Sequence, residues 1–244
     1  MKTGLLFMLS LMAALLSSCN FTENITINEN GSGSMTMDLD GSQLMALAGE
    51  QMAKETDKRM DTIITFKEMF AAKKDSIAKL PKEEQERLKK MENFTLKMVV
   101  DAQTKEFNFK LLNDFKKIED VTDLMESLNS ANPLNKNKTA EKLPFDTDKY
   151  KTKTSYSYNS KKFKKEVSRA QETADADNDS INMFAAMFQG STYTVNYKFP
   201  KKVKSVSNKN AQISSDKKQV TIAYPFTDYL DDPKSMSLEV EFEK

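Results

Sequence analysis

Apolar and polar side chains trade places one for one along much of this chain, and a period of two dictates strands with one buried face. Ile25 and Ile27 alternate with Asn24, Thr26 and Asn28; Met35, Met37 and Leu39 alternate with Thr36 and Asp38. Between these runs lies Asn30-Gly31, the pair that a tight hairpin turn favours. Phe94, Leu96, Met98 and Val100 share a face, and after Gln103-Thr104 come Phe107, Phe109 and Leu111. Tyr156 and Tyr158 suggest an edge strand, with Phe163 to Val167 as its partner or a short helix. The last fifty residues return to the pattern: Tyr193, Val195, Tyr197 and Phe199; Val203 and Val206; Val220, Ile222 and Tyr224; and Met236, Leu238, Val240 and Phe242.

Helical spacing interrupts the strands. Gly41-Ser42 opens a pattern through Leu44, Met45, Ala48 and Met52. Asp61 to Phe66 reads as a short strand or turn, followed by a helical stretch with Met69, Phe70, Ile77 and Leu80. Pro81 suits a first helical turn, with Glu83 and Glu84 early, Lys89 and Lys90 late, and an end near Met91. Ile118 to Leu128 also reads as a helix, and Ile181 to Phe188 as another, stopped by Gly190. Residues 129–149 and the acidic run Glu172 to Asp179 read as loops. The expected class is α+β: an antiparallel sheet of hairpins with helices packed on one face and a helical insertion at about 67–92. No fixed-period repeat points to a solenoid or propeller.

Cys19 is the one cysteine in the chain. Positive Lys2, an apolar stretch from Leu5 to Leu16 and small Ser17-Ser18 precede it, the three parts of an export signal. An apolar stretch of that length falls short of spanning a bilayer. Leu16-Ser17-Ser18-Cys19 resembles the lipobox of bacterial lipoproteins. The resemblance implies cleavage before Cys19 and acyl chains on its sulfur and amino group, which at about 0.8 kcal/mol per buried methylene hold a protein to a membrane. It divides the chain into a cleaved signal peptide at 1–18, an acylated tether at 19–23 and an α+β envelope domain at 24–244. Asn20 follows the cysteine, not the Asp that retains many lipoproteins at the inner membrane, so the expected location is the outer membrane, facing the periplasm.

Removing Lys2 with the signal leaves 36 basic side chains against 36 acidic ones, a balance unsuited to a general nucleic-acid binder. With no histidine, neither a Ser-His-Asp nor a Cys-His nucleophile can be built, and imidazole cannot ligate a metal. Gly31 and Gly33 fit a hairpin turn and form no phosphate-cradling loop. Asp231-Asp232 reads as a solvated pair before it reads as acid and base. Asp175, Asp177 and Asp179 begin a calcium-loop spacing that fails at Ser180 and Ala186. No enzyme, metal or cofactor is expected.

The order of strand, Asn30-Gly31-Ser32-Gly33, Met-rich strand and helix, with the late Tyr197-Lys198-Phe199-Pro200, resembles the LppM-type lipoprotein domain. The chain is also similar to Bacteroidota lipoproteins in which Asp61-Thr62-Ile63, Asp75-Ser76-Ile77 and Leu80-Pro81 recur. The first resemblance implies an α+β envelope module that binds lipid or glycolipid. Asp61-Thr62-Ile63, Asp75-Ser76-Ile77 and Asp179-Ser180-Ile181 further resemble acceptor sequences for O-glycans, which implies attachment at Thr62, Ser76 or Ser180.

Two features fit a lipid ligand. Ile181, Phe184 and Phe188 share a helical face with Met187 beside it, able to cap a cavity, to meet a partner or simply to fill a core. Twelve methionines follow Cys19 once Met1, Met8 and Met12 are set aside, and flexible thioethers suit either an adaptable pocket or ordinary core filling. Residues 136–169, with eleven Lys or Arg against four acids, fit anionic headgroups or a lysine-guarded edge strand. The expected function is therefore a non-catalytic envelope lipoprotein that binds or shelters lipid or glycolipid. The alternative is an assembly subunit that docks onto an envelope protein. A continuous apolar cavity favours the first; a filled core with an exposed apolar patch favours the second.

Overall fold

In the computed structural model the described residues are 19–42, 59–121, 152–169, 188 and 190–244. Their alternating stretches form strands sorted into two sheets. The first hairpin is β1 (Asn20–Ile27) and β2 (Gly33–Asp40), antiparallel with Ile25 opposite Met35. Gly31, at φ +81°, makes the turn, where the amide of Gly31 donates to the carbonyl of Asn28 and that of Asn28 to Ser32. A side chain with a Cβ resists that left-handed backbone. Gly33 serves a different need, since a Cβ there would sit 1.9 Å from the Thr26 carbonyl oxygen and 2.6 Å from the Phe115 ring.

The edge strand β3 (Met60–Thr65) pairs with β4 (Phe94–Asp101), and β4 with β5 (Glu106–Phe115), which closes onto β2. Three short helices lie between β3 and β4: α1 (Phe66–Ala72), α2 (Lys74–Ile77) and α3 (Lys82–Lys90). Phe66 packs its ring 6.2 Å from that of Phe94, and Met91, just past α3, is buried. The chain from Ile118 departs from the expected helix: Ile118–Asp120 is a 3-10 turn and Val121 is already extended, while 122–128 lie outside the described residues.

β6 (Thr152–Tyr158), β7 (Lys162–Arg169), β9 (Val203–Val206) and β12 (Leu238–Phe242) make the second sheet, in the order β6-β7-β12-β9. β8 (Thr192–Lys198), β10 (Gln212–Ile213) and β11 (Gln219–Pro225) join the first, whose order is β10-β11-β8-β1-β2-β5-β4-β3. α4 (Phe226–Asp231) follows β11, and a 3-10 turn at Pro233–Met236 leads into β12.

The fold is thus α+β with two sheets, and it differs from the single antiparallel sheet in two respects. β1 and β8 run parallel, Phe21 beside Tyr193 and Ile25 beside Tyr197. Hairpin signals report only neighbours in sequence, whereas this pair joins strands from opposite ends of the chain. The apolar face of the larger sheet is covered largely by the second sheet, with α1 and α4 at its flanks, because the inward residues of both sheets enter one core: Ile25, Met35, Tyr197 and Ile222 from one, Tyr156, Phe163 and Val240 from the other. Each such large side chain contributes about 1.5–3 kcal/mol by leaving water. β1 also begins at Asn20, so residues 20–23, expected as a tether, are strand.

Candidate functional site

β1 is a central strand, with inward positions Phe21, Glu23, Ile25 and Ile27. A carboxylate at the second of these positions enters an apolar core, where only partners in kind can hold it. It has four contacts. Glu23 Oε1 accepts hydrogen bonds from the phenols of Tyr156 at 2.9 Å and Tyr197 at 2.8 Å; Oε2 accepts from Tyr193 at 2.7 Å and from Lys165 Nζ at 2.8 Å. Lys165 also donates to Tyr197 Oη at 3.1 Å, and its ammonium lies 5.6–5.8 Å from the centroids of the Tyr156, Tyr193 and Tyr197 rings. Glu23 and Lys165 are 1% and 3% exposed, so this ion pair crosses between the sheets out of water.

Burial opposes the charge on Glu23, but the Lys165 ammonium and the phenols of Tyr193 and Tyr197 outweigh it and hold the carboxyl below its ordinary value. Burial, reinforced by the Glu23 charge, pushes the Tyr193 and Tyr197 phenols well up. The cluster is therefore a carboxylate, an ammonium and neutral phenols, each held in its donor or acceptor role.

A cavity of about 40 Å³ lies beside it, walled by Phe21, Met35, Met37, Phe226, Tyr229 and Met236 among others. That holds a few water molecules; pockets for drug-sized ligands run to about 300–1,000 Å³. Phe21 joins it to a ring cluster, stacked on Phe226 at 4.1 Å with Phe188 at 5.7 Å. A larger groove, about 550 Å³, lies in the open beside Asn30-Gly31, Lys117, Asp120 and Tyr158, and its lining is mostly polar.

Cys19 immediately precedes β1; its carbonyl accepts from the amide of Thr192 at 3.3 Å, and its side chain belongs to the core at 2% exposure. Phe188 is buried against Phe21 and Phe226. Ile181, Phe184, Met187 and Ser180 lie outside the described residues, as do Asp175, Asp177 and Asp179. Thr62 is half-buried in β3 and Ser76 half-buried in α2. Asp231 and Asp232 are exposed at the end of α4. Of the basic stretch, Lys162 pairs with Glu239 at 2.6 Å, Lys164 pairs with Glu166, and Arg169 donates to the carbonyls of Leu230 and Asp231.

In sequence, Glu23 reads as part of the tether at 19–23 and Lys165 as part of the basic stretch at 136–169. The register held a signal for both: Glu23 falls in step with Phe21 and Ile25, and Lys165 with Phe163 and Val167. Among the described residues no group of acidic or cysteine side chains is placed to hold a metal, and no helix is long and apolar enough to cross a membrane.

The chain is similar to the folded domain of LppM from Mycobacterium tuberculosis, solved by NMR, at a TM-score of 0.39 and 10% identity over 93% of this chain and 90% of that one. No family model and no curated protein matches it.

Proposed function

We propose that the chain is a non-catalytic envelope lipoprotein, held to the outer membrane on its periplasmic side by acyl chains on Cys19, and that it serves as an assembly subunit docking onto protein. The observation that carries this reading is the packing between the sheets among the described residues. A lipid-sheltering domain needs a continuous apolar cavity, whereas the cavity that the described residues line beside the Glu23–Lys165 pair is about 40 Å³. The anchor rests on the resemblance of Leu16-Ser17-Ser18-Cys19 to a lipobox, and acylation there requires the buried Cys19 sulfur to turn out of the core. With β1 starting at Asn20, acyl chains on residue 19 leave the end of a central strand without a flexible spacer and hold the sandwich against the bilayer. Cleavage before Cys19 also frees that residue from the eighteen before it.

One observation favours the second reading, in which lipid or glycolipid is sheltered: three thioethers, Met35, Met37 and Met236, line the small cavity near the anchor end, and such side chains re-pack readily. Purification of the acylated protein from native envelopes, with mass spectrometry of everything retained, separates the two. A stoichiometric protein partner and no bound lipid is the expected result; stoichiometric lipid without a partner overturns it. The same spectra read sugar additions at Thr62, Ser76 or Ser180.

A further inference from the structure

Sheet edges expose unpaired backbone groups, and chains guard them with lysine, brevity or irregularity. Among the described residues, three of the four edges follow that rule. β6 carries Lys153, β9 carries Lys204 and meets β12 across a register shift, and β10 has two residues. β3 does not. Met60–Thr65 is a regular six-residue run without lysine, proline or a register break, and its one charge, Asp61, lies 3.7 Å from Arg59. Of the three exposed large apolar side chains among the described residues, two are on this strand: Ile63 at 62% and Met60 at 40%.

We infer that β3 is a pairing edge for a second copy of this chain, joined antiparallel about a two-fold axis at Ile63. This names the first partner of the assembly subunit proposed above and rests on that reading. The strand is self-complementary in this register. Ile63 meets Ile63 of the copy on the outer face, burying the most exposed apolar side chain against its equal. Asp61 and Thr65 share that face and come opposite each other, Asp61 keeping Arg59 beside it and the Thr65 hydroxyl its hydrogen bond to Glu68. On the inner face Thr62 comes opposite Ile64. The two larger sheets become one continuous sheet, and the exposed backbone groups of both edges find partners.

The arrangement has a direct chemical test, because with Cys19 replaced by Ser the full chain has no other thiol. Opposed residues of an antiparallel pair have Cα atoms about 4.5–5.5 Å apart, within the range a disulfide spans. Lys97 lies opposite Ile63 on β4, so its copy would be three strand spacings away, about 14 Å, out of reach. In the full-length Cys19→Ser chain in mild detergent, Ile63→Cys should give a covalent dimer on oxidation in at least about tenfold the yield of Lys97→Cys. The parent Cys19→Ser chain should sediment as a dimer and Ile63→Lys as a monomer. Equal crosslinking of the two cysteine variants, or a monomeric parent, overturns the inference. A dimer formed while native envelopes yield bound lipid and no partner protein instead overturns the assembly reading and leaves the pairing.

Discussion

A buried carboxylate sets the terms of this core. Glu23 and Lys165 each lose water on folding and recover the loss only through each other and three tyrosines. Removing one partner strands the other, so Glu23→Gln or Lys165→Met alone should cost about 3–5 kcal/mol in denaturant unfolding. The double substitution should cost clearly less than the sum, since no lone buried charge remains. Acid works on the same pair. A glutamate in the unfolded chain titrates near about 4.3, and Glu23 in the fold is held lower. Stability contributed by this group is therefore complete above the unfolded value and falls as the pH drops toward the folded one. The Tyr193 and Tyr197 phenols, shifted upward, act in the opposite sense: their contribution is complete below about pH 10 and fades as alkali ionises the unfolded chain. Urea midpoints across the acid range should fall more steeply for the parent than for the Glu23→Gln/Lys165→Met chain.

At the scale of elements, local chemistry spoke for local pairs. The alternation at Ile25 and Ile27, at Met35 and Met37, and at Phe94 to Leu111 located both hairpins, and Asn30-Gly31 located the first turn. Gly31→Ala should cost about 1–2 kcal/mol through its positive φ, and Gly33→Ala about 2–3 kcal/mol through the clash with Thr26 and Phe115. Thermal unfolding measures both, and a Gly33→Ala chain as stable as the parent would contradict the close approach. What stayed illegible was non-local. Nothing in β1 or β8 alone announces a parallel partner at the far end of the sequence, and period two cannot tell one sheet from two. Glu23 was hidden because a polar residue at an inward position looks like the end of a strand until its partners from β7 and β8 are in place.

For the whole molecule, the proposed anchor and the sandwich meet at the start of β1. A strand that starts at Asn20 leaves no spacer after residue 19, so under the proposed anchoring a lipid on Cys19 would set both the distance and the attitude of the sandwich to the bilayer. A chain that begins at Cys19→Ser, without residues 1–18, should leave the detergent-extracted membrane fraction, and circular dichroism should show its strands retained. The two candidate activities separate at this scale as well: among the described residues the cavity between the sheets is about 40 Å³, and two of the three exposed large apolar residues lie on one unguarded edge. The most direct measurement is the intact mass and N-terminal residue of the protein extracted from native envelopes. A chain beginning at acylated Cys19 is the predicted result; a chain retaining residues 1–18, or one with a free Cys19 thiol, would contradict it.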